Sequence, residues 1–102
     1  MKSALLQKRL KFTRLLADLI VWAADNGYEI ALAPDHEKHM ANSLHYIGLA
    51  KDFDLYVDGV YQTKTEQYTA IGEKWESMGG TWGGRFKYAD GCHFSLAHGG
   101  RK

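Results

Sequence analysis

The sequence predicts a small α+β domain in which a short antiparallel sheet is flanked by helices. Three observations predict it. A long helical apolar stripe fills the first quarter of the chain, short alternating runs bounded by turn residues fill the middle and the end, and a second helical stretch lies between those runs. At 102 residues there is room for one domain, residues 1–102. A chain of this size buries roughly 65% of its unfolded surface, and 45% hydrophobic residues fill such a core without cross-links.

The first element is residues 4–24, ALLQKRLKFTRLLADLIVWAA. Leu5, Leu6, Leu10, Phe12, Leu15, Leu16, Leu19, Ile20, Trp22 and Ala23 recur at helical spacing and form a wide stripe. Asn26-Gly27 ends it, because glycine accepts the left-handed conformation of a helix C-terminus. YEIALA (28–33) reads as a short buried strand stopped by Pro34, and the polar stretch PDHEKHMAN (34–42) as a loop or one helical turn.

LAKDFDLYV (49–57) alternates as a strand does. Asp58-Gly59 then turns the chain, and VYQT (60–63) returns as the hairpin partner. Thr63 or Thr65 is placed to cap a helix reaching Met78, with Ile71, Trp75 and Met78 on one face and Trp75 in the core. GGTWGGRF is a glycine-rich loop, CHFSLAH a last strand, and His98 belongs to a solvent-exposed tail.

Charge excludes one class of partner. Thirteen basic against twelve acidic residues leave a net +1, and Lys8, Arg9 and Lys11 are the whole of the basic clustering, so nucleic acid is not expected. A single cysteine, Cys92, excludes an internal disulfide. No apolar run approaches the ~20 residues of a membrane span, and MKSALLQKRLKF lacks the apolar core of a signal peptide. The expectation is a monomer made in the cytoplasm, with no membrane partner, that reaches any outside target by a separate route.

The chemistry concentrates in SLHYIGLAKDFD (43–54). His45 and Asp52 are seven residues apart, which on one helix would separate them by about 10 Å. Two donors about 2 Å from one zinc must lie much closer, so sharing an ion requires a turn, and Gly48 is the residue able to make it. Asp52 then falls on the following strand, on one face with Ala50 and Asp54, opposite Phe53 and Leu55. A second piece, YADGCHFSL, offers Cys92 and His93 on opposite sides of a strand. His93 is the better ligand, since imidazole is common in catalytic zinc sites and Cys92 has no partner cysteine. Asp90 stands three residues before it, followed by Gly91, within reach of a water on such a metal.

Three ordered motifs, S-L-H-Y-x-G-L-A-x-D, W-x-x-x-G-G-x-W-G-G-R-F and D-G-x-H-F-S, together resemble the M15 family of zinc peptidases. That group contains D-Ala-D-Ala carboxypeptidases and phage L-alanyl-D-glutamate endolysins. The resemblance covers about residues 40–96 and implies the small fold of the Hedgehog and DD-peptidase domains. It implies one zinc ion held by His45, Asp52 and His93, with water in the fourth position. By the same resemblance Asp90 is the general base and acid, Ser43 orients the loop, and Asp54 supports the ligands from behind. Trp82, with Gly83, Gly84 and Arg85, shapes the cleft wall, the alternative for Trp82 being a place in the core. The implied substrate is the peptidoglycan stem peptide, cut by a phage lysis endopeptidase that acts on the wall after release. A D-Ala-D-Ala carboxypeptidase and a zinc-bound, inactive wall-binding module are the alternatives. The chain departs from the family at one place. The arginine usual between the first strand and the Ser-x-His motif is missing, and Lys38, His36 or His39 would have to substitute, without the planar fork of a guanidinium.

Overall fold

The computed structural model describes residues 2–34 and 43–102. The segment 35–42, with His36, Lys38 and His39, lies outside the described residues. Helix α1 (Ala4–Asp25) starts where the Ser3 hydroxyl accepts from the Leu6 amide, and it ends at Asn26 with Gly27 in the left-handed region. Strands β1 (Glu29–Leu32), β2 (Ala50–Val57), β3 (Val60–Gln62), β4 (Thr81–Trp82) and β5 (His93–Ser95) form one antiparallel sheet. Its order is β1-β2-β5-β4, with β3 pairing the far end of β2. A 3-10 turn (Thr65–Tyr68) leads into helix α2 (Thr69–Ser77). The expected α+β class, two helices with a short antiparallel sheet, is what the chain adopts.

One face of the sheet is the core. Phe53, Leu55 and Phe94 are fully buried there, against Phe12, Leu19 and Ala23 of α1 and Ile71 and Trp75 of α2. The aromatic rings meet edge to face, Phe12 on Trp75 at 5.9 Å and Trp75 on Phe94 at 6.3 Å, the arrangement ring quadrupoles favour. Fully burying each such side chain contributes about 1.5–3 kcal/mol. The Trp75 indole N–H donates to the Ser95 carbonyl at 3.0 Å, so the core residue also satisfies its polar atom.

Three expectations need correction. Among the described residues β1 is an edge strand that pairs with β2 alone, with Glu29, Ala31 and Leu32 exposed. Neither Thr63 nor Thr65 caps the helix. The chain enters through the 3-10 turn, where the Gln67 side-chain oxygen accepts from the Lys64 amide, and Thr65 Oγ1 accepts from the Gly91 amide. His98 is half-buried, not free in solvent. The tail folds into a small hairpin, His98 pairing with Arg101, and Lys8 of α1 donates to the Ala97 carbonyl and lies 3.4 Å from His98 Nδ1.

Candidate metal centre

Three separate segments deliver the side chains. The Ser43 hydroxyl accepts from the His45 amide at the start of a 3-10 turn (Leu44–Ile47). The turn stops at Gly48, whose φ of 73° places it in the left-handed region that side chains resist. A Cβ there would also stand 2.7 Å from Arg9 Nε, so α1 packs directly on the turn that carries His45. The chain then runs straight into β2, and Asp52 follows.

The second imidazole arrives through sheet register. β2 and β5 are antiparallel with Asp52 directly opposite His93, and directly opposed residues share a face. Asp52 Oδ1 lies 3.5 Å from His45 Nε2 and 3.9 Å from His93 Nδ1. Donor atoms of all three residues lie within 4.8 Å of one another. These separations are long for hydrogen bonds. They suit donors around a common ion, because atoms about 2.1 Å from a tetrahedral zinc stand about 3.4 Å apart. Two imidazoles and one carboxylate are also a donor set that zinc takes. The residues fit the metal.

The surroundings fix the imidazoles. His93 Nε2 pairs with the fully buried Ser95 hydroxyl at 2.9 Å, which turns Nδ1 toward Asp52. The Phe86 ring lies 5.1 Å from the His93 ring, and His45 packs against His93 at 5.5 Å. Ser95 and Phe86 were not singled out in the sequence. The one legible signal was period two, which places Ser95 on the face of His93.

Asp90 is exposed at the mouth of the site. An oxygen of its carboxylate, one of Asp52 and the Cys92 sulfur form a second group of donor atoms within 4.8 Å. Cys92 therefore sits beside the site, because it precedes β5 and escapes the strand's alternation. Its thiol donates to Asp90 Oδ1 at 3.1 Å, and burial first, then that hydrogen bond and the two aspartates, push its ionisation far up. The thiol is held protonated and points at the carboxylate.

The turn carrying Asp90 is built on Gly83. The Asp90 amide donates to the Gly83 carbonyl at 2.9 Å and the His93 amide to the Asp90 carbonyl at 3.2 Å. A Cβ on Gly83 would fall 2.2 Å from the Asp90 carbonyl oxygen and 2.7 Å from His93 Cβ, so only glycine lets the two segments approach this closely. Trp82 holds the same turn from below, its indole N–H donating to the Gly91 carbonyl at 2.7 Å.

Trp82 and Arg85 do not form a cleft wall. Trp82 is 2% exposed and belongs to the core. Arg85 lies over its ring at 5.0 Å and points away to α2, with Nε and one terminal nitrogen donating to Glu76 at 3.1 and 3.0 Å. Asp54 is on the Asp52 face, half-buried and two residues further along β2. A cavity of about 220 Å³ opens next to Asp90 and Cys92, bounded across from them by Tyr61, Gln62 and Thr65.

Among the described residues no helix is long and apolar enough to cross a membrane. A search of the curated proteins gives no match. The M15 peptidase model described as D-alanyl-D-alanine carboxypeptidase matches residues 36–96, more than half of the chain and every residue of the centre just described. The chain belongs to the M15 peptidase family.

Proposed function

We propose that the protein is a zinc-dependent peptidase that hydrolyses a peptide bond in the stem peptide of bacterial peptidoglycan. His45, Asp52 and His93 hold one zinc ion. The observation that carries this reading is the convergence of their donor atoms, drawn from a 3-10 turn and two strands, at the spacing of a common ion. A zinc ion held by these residues would supply Lewis acidity and would make a water acidic enough to ionise near neutral pH.

The chain's own residues supply the proton chemistry. Asp90 is exposed and close to Asp52. It takes the proton of the attacking water and returns it to the nitrogen of the departing amine. The Cys92 thiol donates to one oxygen of that carboxylate, leaving the other for water. Ser95 keeps the His93 ring from turning.

Within this class we favour an endopeptidase of the L-alanyl-D-glutamate type, acting in phage lysis after release to the wall. A carboxypeptidase must anchor a free terminal carboxylate, and among the described residues none that lines the cavity beside Asp90 is lysine or arginine. The description of the matching family model favours the second reading, a D-Ala-D-Ala carboxypeptidase. Mass spectrometry of fragments released from purified peptidoglycan decides between them. New amino-terminal D-glutamate supports the endopeptidase, and free D-alanine supports the carboxypeptidase. Wall that stays intact with the native chain, or is cut equally by Asp90→Ala, overturns the enzyme reading.

A further inference from the structure

The polar face of the sheet continues past the metal centre. Alternation along β2 puts Asp52, Asp54 and Tyr56 together, opposite the buried Phe53 and Leu55. Cross-strand partners share a face, so Tyr61, paired with Tyr56, stands there too. On the other side β1 contributes Ala31 opposite Asp54 and Glu29 opposite Tyr56. A single methyl group therefore flanks Asp54 from β1. From Asp52 to Tyr56 the strand advances about 13 Å, roughly the length of four extended peptide residues.

Two features of this track point to a ligand. Tyr56 and Tyr61 form an open aromatic pair, with centroids 5.4 Å apart and exposures of 36% and 50%. The cavity running from Tyr61 and Gln62 to Asp90 has no cation among the described residues that line it. Asp90 lines one end of the cavity, and Asp54 stands on the sheet face that Tyr56 and Tyr61 share. The Tyr61 phenol is raised above its ordinary pKa by burial first and by the Asp54 carboxylate second, so the charge of Asp54 reaches the ring.

We propose that Asp54, Tyr56 and Tyr61 form a subsite for a protonated amine of the substrate peptide, such as the side-chain ammonium of a diamino acid. The inference rests on the peptidase reading for its substrate, and it adds which chemical group is selected. The aromatic faces attract the cation, the carboxylate pairs with it, and the same carboxylate repels a substrate carboxylate. The subsite lies outside the proton chemistry and sets affinity.

Its test is a titration of the native zinc-loaded chain with the tripeptide γ-D-Glu-Lys-D-Ala and with its Nε-acetyl form, followed by calorimetry and by NMR of the tyrosine rings. This probe contains neither candidate scissile bond, so binding is read without turnover. One cation–π contact plus one exposed ion pair predicts a preference of about tenfold for the free amine. The Tyr56 and Tyr61 ring signals should move, and Asp54→Asn should abolish the preference while raising KM and sparing kcat on wall substrate. Equal affinity for the two forms, binding of neither, or a preference that survives Asp54→Asn overturns the subsite. Fragment release from wall scores the peptidase reading separately. An amine preference without release keeps the subsite and removes that reading, whereas release with equal binding of the two forms does the opposite.

Discussion

Asp52 and His93 face each other across the β2–β5 pair, Oδ1 and Nδ1 3.9 Å apart, although forty residues of chain lie between them. Backbone register holds that relationship, and it leaves the third donor to a turn. His45 completes the group because Gly48 reverses the chain immediately before β2 begins.

Ser95 is expected to act on the metal through His93. Its hydroxyl is the partner of His93 Nε2, and losing such a partner lowers metal affinity about 10–100-fold. Ser95→Ala should therefore release zinc to a weaker competing chelator while its circular dichroism stays native. Zinc affinity equal to that of the parent chain would remove the supporting role.

Gly83→Ala should damage fold and activity together. The added methyl group meets the Asp90 carbonyl and His93 Cβ, both fixed by backbone hydrogen bonds. Overpacking of this kind costs about 1–3 kcal/mol, read as a lower Tm, and the displaced Asp90 turn should lower kcat as well. A variant with parental Tm and kcat would show that the two segments have room to part.

Tyr68 ties stability to alkaline pH. Its hydroxyl accepts from the Leu55 amide and donates to the Gln62 carbonyl, linking the turn before α2 to β2 and β3. Burial, the largest influence, pushes its pKa from 10.0 up to about 12, against the lowering effect of the Leu55 amide. The folded form thus prefers the neutral phenol. That preference contributes fully below pH 10, where the unfolded tyrosine is neutral as well, and is lost as pH rises from about 10 to about 12. Denaturant unfolding should show Tyr68→Phe less stable than the parent at pH 8, with the gap closing toward pH 12. A gap that widens over that range would contradict the assignment.

Much of the fold was legible because it rests on local rules. The stripe of α1, the Asn26-Gly27 stop and the Asp58-Gly59 hairpin follow from spacing and turn chemistry alone, and all three appear where expected. Gly48 was legible for the same reason, since two donors seven residues apart need a reversal between them. What escaped depends on distant neighbours. Alternation could not show that β1 would lie at an edge, nor that Arg85 would be drawn off to Glu76. Gly83 looked like one glycine among several in a loop, and only the approach of Asp90 and His93 makes it necessary.

The joint grip of His45, Asp52 and His93 on one ion is tested most directly by elemental analysis of the purified chain and two variants. One zinc per native chain, one zinc retained in Asp90→Ala with activity lost, and none in His93→Ala are expected. A native chain free of zinc after incubation with the metal, or full zinc occupancy in His93→Ala, would contradict it.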